Sequence, residues 1–111
     1  MSVRVEKNQG VWTIIHSRPE SRNAMDPKSA DHLTDAFLEF NENEDGKVAV
    51  FWGEGGAFCA GWDLKFASTL NENDPLKDLD IKINDEVSQN SNLMPRGPMG
   101  PSRLALKKPV I

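Results

Sequence analysis

A glycine-rich stretch between Trp52 and Lys65 carries the residue types best suited to chemistry in this 111-residue sequence. Glycine allows backbone N–H groups to approach a ligand closely, and the first turn of a following helix leaves N–H groups without partners. Such groups carry partial positive charge and can bind a phosphate or a carbonyl oxygen that gains negative charge during a reaction. The stretch therefore predicts an anion or oxyanion site, or else a tight strand-to-helix turn without a ligand.

The glycine-rich stretch does not match the known phosphate-binding motifs. Phe58 stands where the dinucleotide-binding fingerprint GxGxxG, counted from Gly53, requires its third glycine. A P-loop would need a Gly-Lys-Ser or Gly-Lys-Thr sequence, and none follows. The oxyanion site and the ligand-free turn are therefore the stronger interpretations.

Other reactive side chains lack the partners that catalysis or metal binding requires. Cys59 is the single cysteine, and no His/Asn pattern accompanies it as it would accompany a nucleophile. His16 and His32 are not spaced as metal ligands, so we expect a structural or solvent-facing position for both. The acidic cluster in residues 42–45 lies in a polar turn, where we expect it to be solvated.

The first half of the chain predicts a hairpin followed by a helix. Residues 3–5 and 11–15 are rich in Val and Ile and flank an Asn-Gln-Gly turn, which indicates two paired strands. Asp26-Pro27 is typical of a helix start, and apolar residues then recur at helical spacing until about residue 43. The residues expected on the buried face of this helix are Ala30, Leu33, Phe37 and Phe40.

The second half predicts a strand, the glycine-rich stretch and a long loop. Residues 47–52 are almost continuously apolar, which is typical of a parallel strand buried on both faces. Residues 71–100 contain several prolines and little periodicity, so we expect a flexible loop with one helical piece around 76–87. Residues 108–111 resemble the opening of another strand, which makes the sequence look interrupted at Ile111.

Composition excludes several classes of partner and compartment. With 13 Lys and Arg against 17 Asp and Glu, the net charge is -4, so the chain would repel a nucleic-acid backbone. No apolar run approaches the roughly 20 residues of a membrane-spanning helix, and no secretory signal begins the chain. We therefore expect no nucleic acid and no membrane as partner, and a cytoplasmic or organelle-matrix (mitochondrial or peroxisomal) protein that is not secreted.

Four segments, in order along the chain, resemble the enoyl-CoA hydratase/isomerase (crotonase) family. They are IIHSRPESRNAM at 14–25, KVAVFWG at 47–53, AFCAGWDLK at 57–65 and GPMGPSRLALKKPVI at 97–111. The resemblance implies an α/β, crotonase-like (ClpP/crotonase) fold with an N-terminal hairpin and parallel strands alternating with helices. Residues 1–111 would form the amino-terminal part of a single domain with that fold.

The same resemblance implies which residues bind substrate. Family members polarise the thioester carbonyl of an acyl-CoA between two backbone amides, and the residue that matches the first of them is Trp62. Lys65 and Arg22 are additional candidates for contacts with the phosphates of coenzyme A. The residues expected to lie along coenzyme A are Asn23, Ala24, Ala60, Gly61, Asp63 and Leu64.

The implied activity is the hydration of a 2-enoyl-CoA in fatty-acid metabolism, as an enoyl-CoA hydratase (hydro-lyase) or an isomerase. No metal is implied, and coenzyme A enters as part of the substrate. The family's second oxyanion amide and its catalytic glutamates lie beyond the strand that begins at residues 108–111, so we expect the 111-residue chain alone to be inactive. The alternative is a non-catalytic acyl-CoA-binding or interaction fragment. Full-length relatives imply a trimer or hexamer, and the bulk of Trp62 leaves the acyl-chain length open.

Overall fold

The computed structural model describes residues 1–67 and 96–111, which form a mixed sheet with a helix packed against it. The predicted helical piece at 76–87, and the predicted flexible loop up to residue 95, lie outside the described residues. None of the helices in the two described ranges is long and apolar enough to cross a membrane. The elements are β1 (Val3–Asn8), β2 (Val11–His16), α1 (Pro27–Glu42), β3 (Val48–Gly53) and the short α2 (Leu64–Ala67).

β1 and β2 form the predicted hairpin. They pair antiparallel with Asn8 opposite Val11, so the turn between them has only two residues. These residues, Gln9 and Gly10, both have positive φ angles, of 49° and 87°. This is the turn geometry whose twist matches that of the flanking strands, and glycine adopts it without steric cost. The turn therefore fixes the register of the hairpin.

β3 pairs with β2 in parallel, as predicted, and α1 lies between the two strands in the chain. The prediction that β3 is buried on both faces is wrong for one face, because Trp52 is 45% exposed while Ala49 is fully buried in the core. Side chains alternate between the two faces of a sheet, and among the described residues α1 covers only one of them. One face of β3 therefore lies in the core, and the other is partly exposed.

The chain returns to the sheet at residues 108–111. Val110 forms a parallel bridge with Ala49, and the Phe51 N–H donates to the Ile111 carbonyl at 2.8 Å. The predicted opening of a further strand is thereby confirmed. The sheet thus continues beyond β3 on the side away from β2.

α1 is fixed to β2 by large apolar side chains. Leu33 and Phe40 are fully buried, as predicted, together with Trp12 and Ile14 of β2. The rings of Trp12 and Phe40 lie 5.7 Å apart between centroids. Burial of each such side chain is worth about 1.5–3 kcal/mol, so this layer holds α1 firmly against β2.

The ends of α1 follow from particular residues. Asp26 accepts a hydrogen bond from the Ser29 N–H at 2.8 Å, and Pro27 occupies the first turn, as predicted. At the other end Asn43 is extended and the chain turns through Gly46. A Cβ on Gly46 would lie 2.8 Å from the Phe40 ring, so this glycine serves close packing rather than a left-handed cap.

Replacement of Asp26 by Ala is expected to lower the free energy of unfolding by about 1 kcal/mol, because the cap on Ser29 is lost. Asp26→Asn keeps a capping oxygen, and we expect a much smaller effect. Urea unfolding followed by circular dichroism measures both changes. Equal destabilisation would contradict the capping role and would point to the charge of Asp26, which lies 3.6 Å from the Arg18 guanidinium.

Candidate functional site

The glycine-rich segment after β3 folds back over the end of that strand. A Cβ on Gly53 would lie 2.7 Å from the Cα of Phe58, so a larger residue would collide with the backbone of the returning chain. Gly55 and Gly56 have φ angles of 98° and 95°, in the left-handed region that favours glycine. The glycines therefore determine the path that brings residues 57–63 back towards β2.

Asn23 holds this segment through its side chain, which is fully buried. Its Nδ2 donates to the carbonyls of Glu54 at 2.8 Å and Ala57 at 2.7 Å, and its Oδ1 accepts from the Arg18 N–H at 2.6 Å. Both N–H groups of the amide are thus used inside the protein. The structure shows Asn23 as a residue that shapes the loop, and its predicted proximity to coenzyme A stays a prediction.

Residues 61–63 are held by Met25 in a strand-like pairing. The Met25 N–H donates to the Gly61 carbonyl at 2.7 Å, and the Asp63 N–H donates to the Met25 carbonyl at 2.7 Å. Peptide groups of successive residues in extended chain alternate in direction, so the N–H of Trp62 points away from Met25. Within residues 1–67 and 96–111 that N–H has no hydrogen-bond partner. It is a donor whose neighbours on both sides are fixed and which is not used within the described residues.

Arg18 and Asp63 join the start of α2 to the loop after β2. One Asp63 oxygen accepts from the Lys65 N–H at 2.9 Å, and the other accepts from Arg18 Nη2 at 2.9 Å. The hydrogen bond from Arg18, followed by those from the backbone at the start of α2, lowers the pKa of Asp63 although burial opposes it. Arg18 also donates to the Ala24 carbonyl at 2.6 Å. The Asp63 carboxylate is thereby committed to holding the loop.

A cavity of about 320 Å³ lies beside Trp62, and its wall carries both positive and negative side chains. We call it the mixed cavity. Lys65 lines it, whereas Arg22, Asn23 and Gly61 do not. It nevertheless brings together most of the residues for which the resemblance implies contact with substrate. These are Ala24, Ala60, Trp62, Asp63 and Leu64.

A second cavity, also of about 320 Å³, lies between the sheet, α1 and the segment 99–106. We call it the apolar cavity, because nearly all of its wall is hydrocarbon and sulfur. His16 and Cys59 line it as well. Its apolar wall includes Met25, Phe37, Phe51, Phe58, Met99 and Leu106.

His16 is almost completely buried at the end of β2, and its Nε2 has no hydrogen-bond partner in the described part of the chain. Burial lowers the pKa of His16, and the charge of Arg18 lowers it further while the acidic groups of Asp26 and Glu20 oppose the shift. A buried imidazole that resists protonation is neutral at pH 7. Of the two expected positions, structural or solvent-facing, His16 has the buried one. Its Nε2, however, forms no hydrogen bond with any described residue.

The remaining candidates behave as solvated or packed groups. Across the two described ranges no group of His, Cys, Asp and Glu could hold a metal ion. The Cys59 sulfur accepts a hydrogen bond from the Gly61 N–H at 3.4 Å. Glu42, Glu44 and Asp45 are exposed, as expected.

Sequence reasoning missed the roles of Arg18 and Asp63 as a pair. The two residues are 45 positions apart, and an arginine in a loop before a proline is ordinarily solvated. The only signal was that Asp63 directly precedes a helix start, where an acidic residue caps free N–H groups. That signal predicts the bond to Lys65 and leaves the partner of the second carboxylate oxygen unknown.

Residues 6–90 match the family model described as enoyl-CoA hydratase/isomerase. The chain is 37% identical over 68 residues to carnitinyl-CoA dehydratase of Proteus mirabilis, covering 60% of this chain and 26% of that protein. It is 36% identical over 66 residues to (E)-benzylidenesuccinyl-CoA hydratase of Thauera aromatica, covering 59% and 26%. The chain thus spans about a quarter of the length of these curated relatives.

Solved structures agree with the fold. An enoyl-CoA hydratase from Mycobacterium tuberculosis aligns with a TM-score of 0.65 at 24% identity, covering 99% of this chain and 37% of that one. At this identity the likeness concerns the fold alone. It confirms the α/β, crotonase-like fold expected from the sequence.

Asn23→Ala is expected to lower the free energy of unfolding by about 3 kcal/mol, because two partly buried carbonyls and one partly buried N–H lose their partner. Arg22→Ala is the matched control, since Arg22 is an exposed neighbour with a similar left-handed φ, 54° against 59°. We expect the control to change stability by less than about 0.5 kcal/mol. Urea unfolding measures both. A small effect of Asn23→Ala, equal to that of the control, would show that the loop does not depend on this amide.

Glu54 generates a prediction about pH. Its carboxylate is bound by Arg4 and by Ser17, which lower its pKa from 4.5 to about 2. A carboxyl group with a lowered pKa stabilises the fold above its unfolded-state value, and this contribution disappears as the pH falls through the folded-state value. The contribution is therefore complete above about pH 4.5 and lost towards about pH 2.

Glu54→Gln is expected to reduce the pH dependence of stability within that window, and urea unfolding between pH 2 and pH 6 measures it. Glu44→Gln is the matched control, because Glu44 is exposed and has no ion pair within the described ranges. The same pH profile for Glu54→Gln and for the wild-type chain would refute the assignment.

Proposed function

The chain belongs to the enoyl-CoA hydratase/isomerase family, and we propose that it supplies the thioester-binding part of a site that hydrates a 2-enoyl-CoA. In this proposal the Trp62 N–H donates to the thioester carbonyl oxygen. The observation that carries it is an N–H group that has no partner among the described residues and lies between two residues that Met25 holds by backbone hydrogen bonds. The curated relatives described above are named for acyl-CoA substrates, which supports the substrate class.

The chemistry explains why a fixed donor is useful at this place. When water adds to C3 of a 2-enoyl thioester, the electron pair of the double bond moves towards the carbonyl oxygen, which becomes an enolate. A proton then returns to C2. A donor already oriented towards that oxygen needs no rearrangement as charge develops, and such a donor is worth about 3–4 kcal/mol in the transition state.

The mixed cavity is the proposed location of coenzyme A. Trp62 lines it, and Ala24, Ala60 and Leu64 offer small or apolar contacts there. Lys65 adds a positive charge to the same wall, which suits the phosphates of coenzyme A. We propose that Asp63 contributes through its backbone and through the loop that it stabilises, because its carboxylate already binds Arg18 and the start of α2.

Asn23 and Gly61 have a supporting role in this proposal. The Asn23 amide ties the residues after β3 to the loop after β2, and the Gly61 carbonyl accepts from Met25. Both therefore help to set the direction of the Trp62 N–H. No residue of this chain is assigned as the general acid or base.

Replacing the peptide N–H of Trp62 by an ester oxygen removes the proposed donor and keeps the side chain. The expected result is up to about tenfold weaker binding of crotonyl-CoA by calorimetry, with a small loss of stability because the Gly61 carbonyl, which accepts from Met25, becomes a weaker ester acceptor. Infrared spectra of bound crotonyl-CoA should show a thioester carbonyl stretch at lower frequency with the wild-type chain, and this shift should disappear with the ester.

The same replacement at Asp63 is the control. It removes the hydrogen bond to Met25, so it should lower stability. Turnover is followed in parallel by the loss of enoyl-thioester absorbance. Binding without turnover by the 111-residue chain agrees with the proposal. Absence of acyl-CoA binding, or an unshifted carbonyl band in the wild-type complex, would refute it.

A further inference from the structure

β1 is an edge strand whose outer side carries no further strand in the described part of the chain. It pairs with β2 on its other side. The Ser17 N–H donates to the Ser2 carbonyl at 2.7 Å, and these two residues continue the register of the antiparallel ladder as a hydrogen-bonded pair. Because hydrogen-bonded and non-hydrogen-bonded pairs alternate, the peptide groups of Val3, Val5 and Lys7 point away from β2. These three residues therefore present N–H and carbonyl groups to an additional strand.

The face of this edge that points away from α1 carries one charge of each sign. Val3 lies in the core and Val5 packs against it, so these two side chains lie on the α1 side. Arg4 and Glu6 point to the opposite face and are exposed. Their Nε and Oε1 atoms lie 3.7 Å apart, and Arg4 also donates to the Glu54 carboxylate at 3.1 Å. A strand added to this edge would place its own side chains beside these charges.

The sequence of β1 is complementary to itself in one antiparallel register. When Val5 lies opposite Val5 of a second copy, Arg4 lies opposite Glu6, and Glu6 lies opposite Arg4. This register also pairs outward-pointing peptide groups with outward-pointing peptide groups, as an antiparallel ladder requires. Opposite charges directly across two strands are favourable, whereas like charges are destabilising. Both charged pairs of this register are therefore favourable.

The neighbouring registers lack this complementarity. A shift by one residue places an outward-pointing peptide group opposite one that points towards β2, so the hydrogen bonds are lost. A shift by two residues places Arg4 opposite Arg4, or Glu6 opposite Glu6. Parallel pairing in register also aligns like charges. Hydrogen bonding and charge thus favour the same arrangement.

A groove between β1 and α1 suits that arrangement. It has a volume of about 280 Å³, and its lining includes Val3, Val5 and, on the α1 side, Asp35. In the self-paired register a second Val5 adds its side chain on this face, and Lys7 of the second copy lies opposite Val3. Asp35 is exposed and forms no ion pair within residues 1–67 and 96–111. The second copy therefore brings an apolar side chain and a positive charge to a groove that contains an acidic group without a counter-ion.

We propose that this edge is an interface between two copies of the chain, which pair their β1 strands antiparallel about Val5. The two three-stranded sheets then form one continuous sheet across a two-fold axis, and the contact is closed at two copies. The proposal goes beyond the acyl-CoA site and does not depend on it. Among the described residues, none of those that line the mixed cavity belongs to β1.

An exchange of charges tests the register. In Glu6→Arg, Arg4 faces a second positive charge, and in Arg4→Glu, Glu6 faces a second negative charge. We expect the dissociation constant of each variant to be at least about tenfold higher than that of the wild-type dimer. An equimolar mixture of the two variants restores both pairs of opposite charges, so it should recover the wild-type affinity. Sedimentation equilibrium from micromolar to millimolar concentrations measures all of these.

Glu44→Arg is the matched control for the charge exchange. It changes the net charge by as much as Glu6→Arg does, at an exposed residue outside β1, and should leave the association unchanged. Circular dichroism verifies that the variants are folded.

Hydrogen exchange of the wild-type chain gives a readout that does not depend on the variants. The amide hydrogens of Val5 and Lys7 should become protected as the protein concentration rises, whereas those of Arg4 and Glu6 already face β2 and should change little. The proposal is overturned by a chain that stays monomeric over the whole series, by an assembly in which the Val5 amide exchanges freely, or by a variant mixture that fails to associate. Each of these results leaves the acyl-CoA site standing.

Discussion

The two backbone hydrogen bonds between Met25 and residues 61 and 63 are the constraint on which the candidate site depends. They turn a glycine-rich loop, which would otherwise have many conformations, into a short extended segment with a defined direction. Met25 can serve as the template because Asp26 caps α1 directly after it and α1 is packed on β2. The orientation of one peptide N–H at position 62 is thus derived from the hydrophobic core through a short series of hydrogen bonds.

The positive charge of Arg18 is compensated by several acceptors, and the same contacts hold the loop after β2 against the start of α2. The Arg18 side chain is 18% exposed, and it lies against the carboxylates of Asp63 and Asp26 and the carbonyl of Ala24. A partly buried arginine with several acceptors keeps its charge compensated, whereas removal of one partner leaves the other poorly solvated. The same bond lowers the pKa of Asp63, so the carboxylate stays ionised at neutral pH and continues to cap α2.

The sequence predicted local features well and long-range polar contacts poorly, for a physical reason. The hairpin, the limits of α1 and the parallel strand follow from turn chemistry, capping and periodicity, all of which act over a few residues. The bonds of Asn23 to Glu54 and of Arg18 to Asp63 span 31 and 45 positions, and no spacing rule marks them. The sequence also did not predict that the Trp52 side chain is exposed. Composition shows that a strand is apolar, but it does not show whether one or both faces of the sheet are covered. Whether the predicted site residues contact coenzyme A stays a prediction.

A large side chain at position 62 is compatible with a backbone donor there, because different contacts determine the direction of the peptide N–H and the position of the ring. Met25 fixes the direction of the peptide group, whereas the Trp62 ring packs edge-on against Phe66 at 6.3 Å between centroids. Trp62 lines the mixed cavity and does not line the apolar one. Its bulk therefore restricts the space proposed for coenzyme A.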